Sequence, residues 1–129
     1  MNIVDSSGWL EYFADGPNAP FFSRPLQNTA ELIVPAITIY EVFKTVLRQR
    51  NESDALQAVA LMLQGSVVDL TASISILAAK ISLENEMPMA DSIILATARQ
   101  HQAIVWTQDS DFEGIDGVRY VAKKGSRTF

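Results

Sequence analysis

Four acidic residues stand where short apolar runs end or helices begin. Asp5 follows Ile3-Val4, Glu41 lies behind Val34-Pro35, Asp91 sits just inside a helix opened by Pro88, and Asp109 follows Ala103–Thr107. Asp111 comes two residues after Asp109. A carboxylate at the C-terminal end of a strand lies on the sheet edge where open α/β proteins bind ligands. Two such groups about 4 Å apart repel by ~4 kcal/mol at an effective dielectric near 20. Converging acids therefore take up protons or hold a cation between them. The chain has no cysteine and one histidine, His101, so neither a thiolate site nor an imidazole cluster can form. All-oxygen ligation suits Mg²⁺, or Mn²⁺, rather than zinc. An ion held this way activates water and neutralises a phosphodiester during hydrolysis.

Each acid also has a plainer reading. Asp5 is a preferred helix N-cap. Glu41 stands three residues after Thr38 and completes a capping box. Asp109 and Asp111 are at home in a solvated turn. Asp91 resists such an account, because it aligns with Ile94, Leu95 and Ala98 on an apolar helix face. The helix dipole favours a first-turn acid by about 0.3–1 kcal/mol, but that gain requires no burial. The other acids, Glu11 and Asp69 among them, read as solvated faces or caps.

The elements that must position these groups alternate. Ile3-Val4 predicts a buried strand, and Ser6 and Ser7 offer cap oxygens to a helix carrying Trp9, Leu10, Tyr12 and Phe13. Asp15–Pro20 is turn chemistry, followed by a short irregular helix over 21–28 interrupted or started by Pro25. Strands are expected at 31–34, 67–70, 103–107 and 118–121. Helices are expected from Thr38 to about Arg50, over 55–64, from Thr71 to about Glu86, and from Met89 to about His101. Two crossovers carry two helices each. The pattern predicts a three-layer α/β/α domain spanning 1–129, with a parallel sheet of four or five strands. Lys123, Lys124 and Arg127 form a short basic tail.

Length bounds the chain to one domain of 129 residues. It is 48% hydrophobic, with a mean hydropathy of +0.11, so some apolar surface is expected to meet a partner. No run approaches the ~18 apolar residues that span a bilayer. The acidic N-terminal stretch does not suit a secretory signal, and the expected location is the cytoplasm. A net charge of −5 and a pI near 4.7 argue against nucleic-acid binding unless acids are gathered around cations.

Four stretches carry a resemblance: Ile3-Val4-Asp5-Ser6-Ser7-Gly8-Trp9, Val34-Pro35 through Thr38-Ile39-Tyr40-Glu41-Val42, Met89-Ala90-Asp91 through Ala98, and Thr107-Gln108-Asp109-Ser110-Asp111-Phe112. In order and spacing they resemble the four acidic motifs of PIN-domain ribonucleases, most of all the VapC toxins of toxin–antitoxin pairs. The resemblance implies a PIN-like fold, a Mg²⁺-dependent RNA endonuclease, a VapB-type antitoxin and a homodimer. It implies that Asp5, Glu41, Asp91 and Asp109 ligate the metal and that Asp111, Ser7 and Thr107 support them. It leaves open whether Asp109 or Asp111 is the closer ligand. Lys44 and Arg48, one and two turns beyond Glu41, are candidates for flanking phosphates or a solvated basic face. Two rivals stand beside it. A receiver-type phospho-acceptor domain would use Asp69 and Thr107 but leave Glu41 and Asp91 without a role. A non-catalytic binding protein could occupy the same scaffold. The helix over 55–64 is apolar around most of its circumference, so with Tyr40, Phe43 and Leu47 it is expected to form a groove for an antitoxin segment.

Overall fold

Side chains alternate across a strand, and here the alternation assigns each apolar residue to one of two cores. Ile3, Ile33 and Val105 enter one cluster, whereas Val4, Leu32, Val34 and Trp106 enter the other. In the computed structural model, which describes residues 1–124, these residues belong to a five-stranded parallel sheet. Its strands are β1 (Asn2–Val4), β2 (Leu32–Pro35), β3 (Ser66–Val68), β4 (Ile104–Thr107) and β5 (Val118–Tyr120), in the order β3-β2-β1-β4-β5. Ile3 pairs in register with Ile33 on one side and Val105 on the other.

Helices α1 (Ser6–Phe13), α2 (Ala19–Gln27), α3 (Ala36–Gln49) and α4 (Glu52–Met62) supply the second cluster. Helices α5 (Ala72–Asn85) and α6 (Met89–Gln100) supply the first. Parallel crossovers are right-handed. The chain winds from β1 to β3 in one direction, then returns past β1 to β4, so α5 and α6 fall on the opposite face. That reversal opens a crevice between the C-terminal ends of β1 and β4. Helix α6 is buried at every position from Ser92 to Ala98 because it packs on the sheet and on α5 together.

The structure revises several local expectations. Three crossovers, not two, carry a helix pair, since α2 is a regular helix that starts at Ala19, with Pro25 buried near its end. Of the cap oxygens the sequence offers α1, Asp5 takes the role, as its N-cap reading expects, and accepts the Gly8 N–H; Ser6 and Ser7 do not. Helix α3 starts at Ala36, so the capping box does not form; the Thr38 hydroxyl, already inside the helix, donates to the Pro35 carbonyl. β3 ends at Val68 opposite Pro35, where its neighbour β2 stops, leaving Asp69 and Leu70 beyond it. α4 begins earlier than expected, capped by Asn51. Arg127 lies outside the described residues.

β3 at the sheet edge also overturns the receiver reading. In that fold the third strand lies beside the first, whereas here β2 separates them and Asp69 is exposed, away from Asp5.

Gly8 lets α1 close onto β1 and α2. A Cβ there would stand 2.5 Å from a Val4 methyl and 2.6 Å from the Phe22 ring, and both side chains are fully buried. Gly8→Ala is expected to destabilise the protein by about 1–3 kcal/mol, as overpacking does. Denaturant unfolding measures this, and an unchanged midpoint would refute the packing argument.

Candidate functional site

Asp5 enters the crevice because β1 ends at Val4 and α1 starts at Ser6. It is 2% exposed, and both its carboxylate oxygens are bonded. Oδ1 accepts from the Gly8 N–H (3.0 Å) and the Ser7 hydroxyl (2.8 Å), and Oδ2 accepts from the Thr107 hydroxyl (2.7 Å). Burial outweighs these bonds and raises the carboxyl from 3.8 to about 6, with the Asp109 charge adding to the rise. Thr107, fully buried at the end of β4, also accepts the Asp109 N–H at 2.9 Å. One hydroxyl therefore ties the loop after β4 to the residue after β1.

Asp109 caps a short 3₁₀ turn, Ser110–Phe112, and accepts the Asp111 N–H at 2.9 Å. Asp91 occupies the first turn of α6. Asp91, Asp109 and Asp111 each present a carboxylate oxygen within 4.8 Å of the others. Asp91 is half-buried, and its carboxyl is raised from 3.8 to about 8. Desolvation is the largest cause, followed by the charges of Asp109, Asp5, Asp111 and Glu41. Of the five predicted acids, the 4.8 Å group holds Asp91, Asp109 and Asp111; Asp5 and Glu41 stand outside it and act on Asp91 through their charge. Asp109 and Asp111 both stand beside Asp91, which leaves neither ahead as the nearer ligand.

Glu41 arrives from the second turn of α3, where its Oε1 accepts a 2.5 Å bond from the Ser6 hydroxyl. Ser6 was legible only as a cap; nothing in its spacing marks a partner 35 residues away. Lys44 and Arg48 follow Glu41 at helical spacings of three and seven and are exposed. Lys44 lies over the Tyr40 ring and donates to its hydroxyl at 3.5 Å.

The donor set fits a small divalent ion. Mg²⁺ takes oxygen ligands at 2.0–2.1 Å in octahedral geometry, which sets ligand separations of about 2.9 Å to about 4.1 Å. Oxygens within 4.8 Å reach that range with slight closure. No thiol or second imidazole competes for a softer metal.

The sequence model of the PIN domain family matches residues 3–118. Among curated proteins, none matches the chain in sequence. Solved structures share its fold. A toxin–antitoxin complex from Klebsiella pneumoniae contains a chain that is 22% identical, with a TM-score of 0.77, covering 92% of this chain and 96% of that one. DNA-bound VapBC from Salmonella typhimurium matches at 18% identity and a TM-score of 0.72, covering 95% and 98%. The VapC20 toxin of Mycobacterium tuberculosis, which cleaves the sarcin–ricin loop, matches at 18% identity and 0.72, covering 90% and 95%.

Proposed function

The chain belongs to the PIN domain family, and on that premise we propose that it is a metal-dependent endoribonuclease acting as the toxin of a VapBC-type pair. One observation carries this reading. Carboxylate oxygens of Asp91 on α6 and of Asp109 and Asp111 after β4 lie within 4.8 Å of one another, and with the charges of Asp5 and Glu41 added to desolvation the Asp91 carboxyl is pushed up to about 8. Self-repulsion of this kind destabilises the ion-free chain and is relieved by a cation. Asp5, Glu41, Asp91 and Asp109 would hold Mg²⁺ or Mn²⁺, with Asp111 assisting. When bound, such an ion supplies Lewis acidity and a more acidic coordinated water.

The chain's own residues supply the positioning. Ser7 and Thr107 fix the Asp5 carboxylate, and Ser6 fixes that of Glu41. Lys44 and Arg48 extend from Glu41 along exposed α3 and would hold the phosphates flanking the scissile one. This arrangement answers the unfavourable net charge of −5, because the acids are concentrated where cations gather. The sarcin–ricin-loop cleavage stated for VapC20 supports RNA as the substrate class. The test is cleavage of a labelled RNA and of the matching DNA, with Mg²⁺, with Mn²⁺ and with EDTA. Metal-dependent cutting of RNA is expected. Cutting in EDTA, or no cutting with either metal, would refute the proposal.

The VapBC neighbours support a VapB-type antitoxin as partner. A groove of about 770 Å³ runs between α1, α3 and α4, lined by Leu10, Phe13, Val46, Ala58 and Leu61, and reaches Ser7 and Gln108 beside Asp5. We place an amphipathic antitoxin segment there. The groove differs from the sequence expectation: Tyr40, Phe43 and Leu47 do not line it, and Met62 is fully buried core. Helix α4 turns Ala55, Ala58 and Met62 inward while Leu56, Leu61 and the following Leu63 remain exposed. Leu61→Glu is expected to abolish co-purification with a co-expressed antitoxin at an unchanged melting temperature. Retained binding would move the partner elsewhere. Exposed Ile76 and Leu83 of α5 offer a separate apolar surface for the proposed homodimer. No helix among the described residues is long and apolar enough to cross a membrane.

A further inference from the structure

Buried Asn18 and Gln108 and half-buried Glu11 form a polar network outside the acidic cluster. Asn18 and Gln108 are 3% and 7% exposed. The Asn18 side-chain amide donates to Gln108 Oε1 at 2.9 Å and to the Ala122 carbonyl at 3.1 Å. Glu11 accepts the Asn18 N–H at 2.7 Å and the Gln108 amide at 3.4 Å. Three distant pieces of chain therefore meet: α1, the start of α2, and the loop after β4, with the segment after β5 joined through Ala122. Glu11, read from sequence as a solvated acid, is an acceptor at the centre of this network.

Asn18 stands at the N-cap of α2, where Asn ordinarily accepts a bond from the helix's own first turn. It makes no such bond. Its side chain is turned inward instead, toward Gln108. Gln108 lies between Thr107, whose hydroxyl holds Asp5, and Asp109. The Gln108 N–H also points to Ser7 Oγ at 3.4 Å. Holding both the side chain and the backbone of Gln108 leaves Asp109 little freedom to swing away from Asp91, which is where mutual repulsion would drive it in the absence of a cation.

We infer that Glu11, Asn18 and Gln108 are positioning residues that hold Asp109 against Asp91 and so preorganise the proposed cation site. The inference rests on the metal-dependent reading given above. These residues touch neither the cation nor the substrate; they act through Asp109. Groups that orient metal ligands from outside typically contribute 10–100-fold to affinity.

The experiment measures Mn²⁺ affinity, by electron paramagnetic resonance of free Mn²⁺, for wild type, Asn18→Ala, Gln108→Met and the double variant, each below its melting temperature. Thr71→Ala serves as the destabilised control. It removes the cap of α5, at the end of the helix pair remote from Asp91, where Gln100 contacts Ser73. Each single variant is expected to bind Mn²⁺ about 10–100-fold more weakly. The double variant is expected to lose little more, because both changes break one linkage. Thr71→Ala is expected to melt lower while binding as wild type does. Wild-type affinity in both single variants, or an equal loss in Thr71→Ala, overturns the positioning role. Absence of Mn²⁺ binding by wild type overturns the metal reading and the inference with it.

Discussion

Asp91→Asn is expected to lower RNA cleavage at least about 100-fold, beyond the usual 10–100-fold cost of losing an outer partner of a metal ligand. The same substitution is expected to raise the melting temperature of the ion-free protein. Both effects have one cause. Asp91 is half-buried, beside Asp109 and Asp111 and in the field of Asp5 and Glu41, so its charge is unfavourable until a cation arrives. Asn keeps the shape and removes the charge, which relieves the apo fold and removes a ligand. Asp5→Asn is expected to abolish cleavage with the fold intact, because the Ser7 and Thr107 hydroxyls can rotate to accept from the new amide. The measurements are turnover of a labelled RNA and thermal unfolding in EDTA. A variant that cuts at the wild-type rate, or an Asp91→Asn protein that melts lower in EDTA, would remove the strained-site account.

The second large effect is on pH. The Asp91 carboxyl is raised from 3.8 to about 8 and that of Asp5 to about 6. Between the unfolded and folded values the native state binds more protons than the unfolded chain, so stability falls as pH rises. In EDTA the melting temperature is expected to decline from about pH 4, with the Asp5 contribution gone above about 6 and that of Asp91 gone above about 8. Saturating Mn²⁺ is expected to suppress the decline, since ligation holds the deprotonated carboxylates. Metal binding near neutral pH then releases protons, and affinity climbs with pH until about 8. Thermal scans with and without Mn²⁺, and calorimetry in buffers of different ionisation enthalpy, test both. A melting temperature in EDTA that rises between pH 5 and 8, or that keeps its full slope in Asp91→Asn, would contradict the assignment.

Several features were legible in the residues because they are local. β-branched pairs such as Ile3-Val4 and Val67-Val68 mark strands, and Thr71 and Pro88 mark helix starts. An acid after a strand names a position on a sheet edge without any knowledge of the neighbouring strand. Asp91 stood out for the same reason, since a charge on a helix's apolar stripe is visible from spacing alone. These are the signals from which the four acids and the parallel α/β layers were drawn.

What only the tertiary structure decided depends on contacts between distant segments. Spacing allowed Thr38 and Glu41 to form a capping box, but α3 starts earlier, and Glu41 instead meets Ser6 across 35 residues. α4 was apolar on nearly every side, and only packing divided Met62, in the core, from Leu61, in the groove. Asp69 ended a predicted strand as plausibly as Asp5 did, and the order β3-β2-β1-β4-β5 alone moved it to the far edge. The Asn18–Gln108 bond joins residues 90 positions apart. Hydrophobic period and cap chemistry act within a few residues, so they determine the elements and the acids those elements carry. Strand order, burial and the field that raises Asp91 are sums over the assembled chain, and they exist only once it has folded.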